Sequence, residues 1–256
     1  MNWAAGPVRV RVPATSANLG PGFDALGLAL TLHDEVEARI LPAGLSVEVC
    51  GEGADLVGSG EEHLVVRAMR VAFAVTGGQP PGIGLRCVNR IPHGRGLGSS
   101  AAAIVAGLLA ARTLSGSGPD QLPDTALLPL ASDLEGHPDN VAACLGGGLT
   151  IAWMRPDGPR MIRLEPLPSV TPVLCIAPAP VRHHIGQQAA GLPAVLSGAG
   201  PSVLVLLGAR GGPAYRHDLD GLGSIVRETG IPWHISSLDV ERQGAHVLRP
   251  EAPPGR

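Results

Sequence analysis

The chain has 256 residues, of which 45% are hydrophobic and 16% are charged, a composition typical of a globular protein with a large buried core. Its formal net charge of −3 provides no broad positive surface, so binding to nucleic acid or to an anionic membrane is not expected. Only 2% of the residues are aromatic, which disfavours base-stacking platforms and predicts a core of Val, Leu, Ile and Ala.

Two residue types exclude further classes of protein. All 19 basic residues are arginine, and the absence of lysine excludes a Walker A loop, a protein kinase and a Schiff-base enzyme. The cysteines are far apart and form no CxxC pair; they are Cys50, Cys87, Cys144 and Cys175. This spacing argues against a structural zinc site or a disulfide framework, and it favours reduced, buried thiols in a cytosolic protein.

Strand and helix patterns follow one another along the chain without a regular βαβ repeat, which predicts an α+β fold. Runs typical of strands occur at 8–12, 34–40, 45–50, 83–91, 148–153, 160–165, 172–177 and 202–207. Helical spacing occurs at 61–75, from Ser99 or Ser100 through 114, and at 123–135. A proline-rich stretch places a domain boundary near residue 165, and the tail 249–256 is expected to be disordered.

The chain shows no sequence signal for export or membrane insertion. The N-terminus lacks the continuous apolar segment of a signal peptide, and the longest apolar run, 101–111, is too short to cross a bilayer. A cytoplasmic protein is therefore expected, acting on small molecules and not on nucleic acid or a membrane.

The strongest motif is the stretch 91–111, in which an apolar strand is followed by the loop HGRGLGSS and an alanine-rich helix. Glycines at 94, 96 and 98 permit positive φ and a close approach of the backbone, so successive N–H groups can surround an anion. The helix adds its free N-terminal donors and the positive end of its dipole, and Arg95 supplies a nearby positive charge. The pattern favours a phosphate site that needs no lysine over a tight strand-to-helix connection capped by serine.

Two further segments are rich in glycine and small polar residues. PATSANLGPGFDALGLAL at 13–30 predicts an open loop that carries Asn18 and Asp24, and LSGAGPSVLVLL at 196–207 predicts a turn before an apolar strand. Each is compatible with an ordinary turn when taken alone. Together, three glycine-rich loops beside apolar strands can converge on one phosphorylated ligand, and this is the arrangement we expect.

These segments resemble the three signature motifs of the GHMP small-molecule kinases and, within that superfamily, those of the bacterial homoserine kinases. EGHPDNVAACLGGGLTIAW at 135–153 and HISSLDVERQGAHVL at 234–248 resemble two further regions of these enzymes. The resemblance implies a two-domain fold, with a ribosomal S5 domain 2-like ATP-binding domain at 1–165 and a shortened, ferredoxin-like α+β domain at 166–256. It also implies transfer of the γ-phosphate of ATP to the side-chain hydroxyl of L-homoserine, giving O-phospho-L-homoserine for threonine biosynthesis.

The resemblance implies roles for particular residues. The ATP phosphates would be held by Pro92, His93, Gly94, Arg95, Gly96, Leu97, Gly98, Ser99, Ser100, Ala101 and Ala102. The substrate pocket and its catalytic residues would be Asn18, Asp24, His137, Asp139 and Asn140, with the two aspartates near each other and facing Ser99. Mg²⁺ would arrive with ATP, held by a hydroxyl of Ser99 or Ser100 and by Glu135. Transfer would be in line, without a dedicated aspartate base.

Structural roles stay open for several of these residues. Asp139 could cap a short helix that starts at Asn140 or Val141, His137 could be a satisfied loop histidine, and Glu135 could end a solvated helix. For the whole chain, two other functions stay open: a catalytically weak or inactive nucleotide-binding paralogue, and a GHMP kinase for another small alcohol. A homodimer is also left open.

One interval departs from the resemblance. Between Pro172 and Leu196 the chain is shorter than these kinases by about fifty residues, the size of a small subdomain, with the apparent deletion between about 178 and 192. The absent segment carries arginines that hold the substrate carboxylate. Here at most one short helix, about 183–190, fits, and Arg182 is the only arginine in the interval. The resemblance therefore implies an intact ATP site, a weakened homoserine site and an activity that the deletion could impair.

Overall fold

The computed structural model describes residues 3–116, 118–178 and 192–249, and these form two β-sheets with helices packed against them. The first sheet contains β1 (Val8–Ala17), β2 (Leu26–Leu41), β3 (Gly44–Gly51), β4 (Gly82–Asn89), β5 (Leu149–Arg155), β6 (Gly158–Leu164) and β11 (His246–Leu248). The second contains β7 (Thr171–Ile176), β8 (Ala194–Leu196), β9 (Val203–Leu207) and β10 (His234–Ser237). The predicted α+β class is confirmed.

The long strand β2 organises the first sheet. The strand order is β11-β1-β2-β4-β3, and the β5–β6 hairpin pairs with the start of β2. β3 runs parallel to β4, and the other pairings in this sheet are antiparallel. The second sheet is antiparallel in the order β10-β7-β9-β8. β3 and β4 are joined through the helix at Leu64–Val75, the kind of crossover that parallel neighbours require, whereas hairpins join β1 to β2 and β5 to β6.

The described helices pack mainly on the first sheet. They are α1 (Leu64–Val75), α2 (Ser99–Leu114), α3 (Gly118–Gln121), α4 (Asp124–Glu135), α5 (Asp139–Gly146) and α6 (Pro213–Glu228). The alanine-rich α2 contacts both α1 and β1. Gly107 permits this packing, because a Cβ there would lie 2.5 Å from the carbonyl oxygen of Val65. Among the described residues, no helix combines the length and apolar character needed to cross a membrane.

Aliphatic side chains fill the interior, as the composition predicts. Fully buried side chains of the larger core include Leu30, Met69, Ile83, Ile104 and Leu108. A smaller core lies under α6 and includes Val203, Val205, Tyr215, Leu222 and Val226. Burial of one such aliphatic side chain contributes about 1.5–3 kcal/mol relative to exposure.

Three of the four thiols are buried and all four are free. Burial raises the pKa of Cys87 to about 12, with smaller contributions from Asp34 and Cys50, and burial raises the pKa of Cys175 to about 12. Burial also raises the pKa of Cys144. These three thiols are therefore protonated at neutral pH and act as small apolar side chains.

The first glycine-rich segment differs from its prediction. The stretch 13–30 was expected as an open loop, but β1 continues to Ala17 and β2 begins at Leu26, so only eight positions form the connection. Residues 26–30 alternate Leu with Gly or Ala, which is typical of a strand, whereas 13–17 are extended by their pairing with β2. The predicted helix at 183–190 and residues 250–256 of the predicted tail lie outside the described residues.

The predicted domain boundary near residue 165 falls between the two sheets, because β6 ends at Leu164 and β7 begins at Thr171. The last strand, β11, then returns to the first sheet and pairs with β1. The division into 1–165 and 166–256 stays a prediction, and the strand pairings are compatible with it as far as the start of β11.

Residues 238–245, which follow the second sheet, form backbone hydrogen bonds with the first sheet beside α5. The Glu241 N–H donates to the carbonyl oxygen of Ala29 at 3.0 Å, and the Gly148 N–H donates to the carbonyl oxygen of Glu241 at 2.7 Å. The Glu241 carboxylate lies 2.7 Å from Nε2 of His33, and both side chains are largely buried. These contacts fix the position of β5 and, through it, of α5.

Candidate active site

The first two glycine-rich segments meet at the end of β1. The Thr15 N–H donates to the carbonyl oxygen of Leu97 at 3.0 Å. The Thr15 hydroxyl donates to Oδ1 of Asn140 at 2.7 Å, and both residues are buried. Gly98 lies against this pair, since a Cβ on it would be 3.0 Å from Asn140 Oδ1. The loop before α2 is thus in contact with both β1 and the first turn of α5.

The third segment docks on the other two. The Gly198 N–H donates to the carbonyl oxygen of Ala17 at 2.9 Å. The buried hydroxyl of Ser197 donates to the carbonyl oxygen of Gly96 at 2.6 Å and lies 2.7 Å from the hydroxyl of Ser16. A Cβ on Gly96 would overlap the carbonyl oxygen of Ser197, so only glycine fits here. The three segments meet in space, as the sequence predicts.

The loop before α2 has the backbone that anion binding requires. Gly94, Gly96 and Gly98 have φ of +64°, +70° and +68°, a left-handed conformation that other residues rarely adopt. Gly98 is the N-cap of α2, so the first N–H groups of the helix point towards the loop without partners inside the helix. A Cβ on Gly94 would meet nothing within 4 Å, which leaves room for a ligand above the loop. This geometry can hold phosphate oxygens through backbone donors.

Arg95 makes contacts that the sequence did not indicate. Its guanidinium donates to the carbonyl oxygens of Ala177 at 3.0 Å and Pro178 at 2.9 Å, just beyond β7. A weaker bond of 3.4 Å reaches the carbonyl oxygen of His93. In this structure Arg95 therefore ties residues 93–98, named the phosphate loop after their proposed role, to the second sheet, and the role of Arg95 as a phosphate ligand stays a prediction.

Two of the predicted magnesium ligands are hydrogen bonded to each other. The Ser100 hydroxyl in the first turn of α2 donates to Oε1 of Glu135 at 2.5 Å, although 35 residues separate them. Glu135 is the last residue of α4, and Ser99 is the first residue of α2. The described residues contain no group of three or more His, Cys, Asp or Glu suited to a metal. A hydroxyl and one carboxylate fit Mg²⁺ that keeps its other ligands from phosphate and water.

The stretch 137–140 begins α5 and carries a buried carboxylate. The Asp139 side chain is 1% exposed, and its Oδ1 accepts the Asn140 N–H at 2.7 Å and lies 2.5 Å from Nδ1 of His137. Its Oδ2 is buried without a hydrogen-bond partner among the described residues. His137 is 43% exposed. A buried carboxylate oxygen without a donor costs stability, which is expected of a site completed by a ligand.

Asn18 and Asp24 belong to one strained turn between β1 and β2. Their φ values are +60° and +54°, which is uncommon outside glycine. Asn18 Oδ1 accepts the Asp24 N–H at 2.7 Å, and Asp24 is exposed. Gly27, at the start of β2, lies against α5, since a Cβ on it would be 2.6 Å from the carbonyl oxygen of Asp139. No hydrogen bond joins Asp24 to Asp139 in the described part of the chain, and their predicted proximity stays a prediction.

A pocket of about 240 Å³ lies beside the start of α2, and no motif in the sequence predicts it. Its apolar walls include Val12, Val36, Val57, Leu64 and Val65. Its polar lining includes Asp34, His63 and His93 as well as Ser99 and Ser100. The signal for Asp34 was present in the strand pattern, because it lies two positions before the inward-facing Val36 and so shares its face.

Two curated relatives match most of the chain. The homoserine kinase of Streptomyces coelicolor is 41% identical over 304 residues, covering 95% of this chain and 95% of the relative. The homoserine kinase of Leifsonia xyli is 38% identical over 303 residues, covering 94% and 92%. An aligned length of 304 exceeds the 256 residues of this chain, so the relative contains residues that this chain lacks. This agrees with the short interval before β8 that the sequence indicates.

Solved structures of homoserine kinases have a similar fold. The crystal structure of a homoserine kinase from Cytophaga hutchinsonii covers 97% of this chain and 99% of its own with a TM-score of 0.80, at 22% sequence identity. The family model for the GHMP kinases N terminal domain matches residues 63–148, which include α1, the phosphate loop, α2 and α5. With this fold and with 41% identity along almost its whole length, the chain belongs to the homoserine kinase family of the GHMP kinases.

Proposed function

We propose that the chain transfers the γ-phosphate of ATP to the side-chain hydroxyl of L-homoserine, giving O-phospho-L-homoserine and ADP, a step in threonine biosynthesis. Two relatives that the chain matches along nearly its full length are homoserine kinases. The observation that carries the proposal is the junction of three segments at the start of α2. There the left-handed loop 94–98 lies between Thr15 of the first motif and Ser197 of the third.

The nucleotide would bind along the start of α2. The N–H groups of residues 92–102 and the hydroxyls of Ser99 and Ser100 would hold the phosphates, and the helix dipole favours their charge. The adjacent pocket of about 240 Å³ has mainly apolar walls and suits the base. Sites for whole small ligands usually measure about 300–1,000 Å³, so this pocket has the size for one part of the nucleotide.

The acceptor substrate would lie between the turn at Asn18 and the start of α5. Asp24 and Asp139 have the charge to hold the ammonium group of homoserine, and Asn18 and Asn140 can orient its oxygens. His137 is placed beside Asp139 and is accessible to a ligand. In-line transfer depends mainly on positioning and on neutralising the phosphoryl charge. No residue is assigned as the base, and the hydroxyl proton would leave late, to phosphate or water.

Magnesium is the metal that this proposal requires, with Glu135 and the hydroxyls of Ser99 and Ser100 as its protein ligands. When bound, Mg²⁺ neutralises charge on the β- and γ-phosphates.

We expect Glu135→Gln to raise the Mg²⁺ concentration needed for half-maximal activity by about 10–100-fold, because it removes the negative charge of the Glu135 carboxylate. The measurement is activity against Mg²⁺ at fixed ATP. The exposed Glu228, at the far end of α6, gives the matched control Glu228→Gln. Identical Mg²⁺ curves for both variants would remove Glu135 from the site.

A coupled ADP-release assay tests the whole function. We expect ADP release from ATP and Mg²⁺ to rise when L-homoserine is added, with O-phospho-L-homoserine formed in equal amount. Release that homoserine does not change would favour the weak nucleotide-binding paralogue. Stimulation by another small alcohol, such as mevalonate or shikimate, and not by homoserine would favour a GHMP kinase of different specificity.

The proposed function also implies a cellular location and a role for each domain. We place the enzyme in the cytoplasm, where both substrates are available, with 1–165 as the ATP-binding domain and 166–256 as a shortened second domain. Monomer and homodimer both stay open, and light scattering of the purified chain distinguishes them.

A further inference from the structure

A buried hydroxyl on β1 contacts the first turn of α5. Thr15 is fully buried, and its hydroxyl oxygen lies 2.7 Å from Oδ1 of Asn140, which is 125 residues away in the chain. Among the described residues, this is the only hydrogen bond that either side chain forms. The two groups are therefore matched to each other, and they join the first motif to the stretch 137–140.

The burial of Thr15 fixes the direction of this hydrogen bond. A hydroxyl carries one hydrogen, which needs an acceptor where water cannot reach it. If the Asn140 amide were reversed, its nitrogen would donate to Oγ1 of Thr15, and the Thr15 hydrogen would have no acceptor in the described part of the chain. The hydroxyl therefore donates to Oδ1 and holds the amide in one of its two orientations.

The amide nitrogen of Asn140 is then left for a ligand. The described residues give Nδ2 no hydrogen-bond partner, and Nδ2 is not one of the polar atoms that are buried without a partner. It therefore reaches the surface, although Asn140 as a whole is only 8% exposed. Its N–H groups are available to an oxygen of a ligand at the start of α5.

Thr15 also contacts the loop before α2. Its N–H donates to the carbonyl oxygen of Leu97 at 3.0 Å, and a Cβ on Gly98 would overlap its hydroxyl oxygen. One residue thus contacts the proposed ATP site through its backbone and the proposed substrate site through its side chain. This double contact sets the spacing between the two sites, on which in-line transfer depends.

We propose that Thr15 is a positioning residue for phosphoryl transfer: its hydroxyl holds the Asn140 amide so that Nδ2 donates to the hydroxyl oxygen of the acceptor substrate. The inference rests on the proposed function, in which Asn140 belongs to the substrate pocket. An N–H donor occupies one lone pair of that oxygen and leaves the other for the γ-phosphorus. A reversed amide would present Oδ1, which cannot donate to this oxygen.

Thr15→Val tests the hydroxyl, since valine has the same branched shape but no donor. We expect kcat for homoserine phosphorylation to fall by about 10²-fold, as for misplaced reacting groups, while the dissociation constant of ADP changes by less than about threefold. Thr15→Ser keeps the donor, and its kcat should stay within about threefold of the wild type. A role in packing alone predicts instead that serine, which lacks the methyl group, is at least as harmful as valine.

Thr76→Val is the matched control. Thr76 is 1% exposed, and its hydroxyl lies 2.8 Å from that of Ser115, the C-cap of α2. The variant therefore loses a buried hydrogen bond between side chains at the end of α2 that is remote from Ser99. We expect it to lower Tm and to leave kcat unchanged.

A double-mutant cycle shows whether Thr15 acts through Asn140. In the Asn140→Ala background, Thr15→Val should have no further effect on kcat. The proposal is overturned by a further loss as large as in the wild-type background, by a folded Thr15→Val variant with wild-type kcat, or by a Thr15→Ser variant as slow as Thr15→Val. If Thr15→Val does not fold, the smaller Thr15→Ala takes its place in the same cycle.

The orientation of the amide is measured independently of turnover. Neutron diffraction from crystals of the ligand-free full chain locates the deuterons that X-rays do not show at ordinary resolution. We expect the Thr15 deuteron to point at Oδ1 of Asn140, and amide deuterons directed at Thr15 would contradict the proposal. Because no substrate is present, a chain that failed to phosphorylate homoserine would refute the proposed function and leave this result standing.

Discussion

Gly98→Ala will lower kcat/KM for ATP by about 10²-fold, a loss typical of displaced reacting groups. Gly98 has φ of +68° at the N-cap of α2, and a Cβ on it would overlap Oγ1 of Thr15 and lie 3.0 Å from Oδ1 of Asn140. The methyl group must therefore separate Thr15 from Asn140 or move the phosphate loop. Either change displaces groups that the proposed reaction uses, since the proposal assigns Asn140 to the substrate pocket and the loop to the ATP site.

Gly44→Ala is the control for backbone strain alone. Gly44 has φ of +78°, and a Cβ on it would meet nothing within 4 Å. Both variants carry the same cost of about 1–2 kcal/mol for a left-handed residue with a side chain. We therefore expect Tm to decrease in both variants, by more in Gly98→Ala because of its overlap with Thr15, together with normal kinetics for Gly44→Ala. Equal kinetic constants for the two variants would show that the contacts of Gly98 with Thr15 and Asn140 are not needed for turnover.

Local patterns were sufficient to predict the backbone conformation of the loop 94–98, and its role as the phosphate site stays a prediction. Three glycines at alternate positions before an alanine-rich helix can be used only where positive φ is needed, and all three have it. A hydroxyl of Ser99 or Ser100 and the Glu135 carboxylate were predicted around one Mg²⁺, and the side chains of Ser100 and Glu135 are hydrogen bonded. The convergence of the three segments was predicted in the same way. These features depend on residue types whose conformational or charge requirements are narrow.

Long-range contacts and weak patterns were harder to predict. α6 was not predicted, although Tyr215, Leu222 and Val226 recur at helical spacing and bury one face; its two glycines lower its helix propensity. Arg95 has the type and position of a phosphate ligand, and nothing local indicates that carbonyl groups after β7 receive its N–H groups. Asp34 lies among charged neighbours in a strand, where a carboxylate is usually solvated. Each of these outcomes is decided by tertiary packing.

The largest expected effect concerns the second substrate. We expect the KM of this chain for homoserine to exceed that of the Streptomyces coelicolor relative by about 30-fold to several-thousand-fold, the loss of one desolvated, bidentate arginine–carboxylate pair at about 2–5 kcal/mol. The aligned length of 304 against 256 residues shows that the relative has a segment that this chain lacks. By family resemblance that segment lies before β8 and carries the arginines that hold the substrate carboxylate.

The affinity for nucleotide should be similar in this chain and in the Streptomyces coelicolor relative, although the KM for homoserine differs. The phosphate loop, its glycine conformations and the contacts with Thr15 and Ser197 are all present. We therefore expect the dissociation constants of ADP for the two proteins, measured by calorimetry, to agree within a few-fold. Loss of packed helices also admits water near the transferring phosphoryl group, so ATP hydrolysis without homoserine should form a larger share of ADP release.

Equal homoserine KM values for the two enzymes would contradict this prediction and would require another arginine to bind the carboxylate. Arg242 is a poor substitute, because its guanidinium is already paired with Glu165. Arg216 on α6 is exposed and forms no ion pair with the described residues, which makes it available. Arg216→Gln would then raise the KM for homoserine and leave ADP binding unchanged. If that variant had no effect, Arg182, in the short interval itself, would be the remaining candidate among the three, and Arg182→Gln would test it in the same assay.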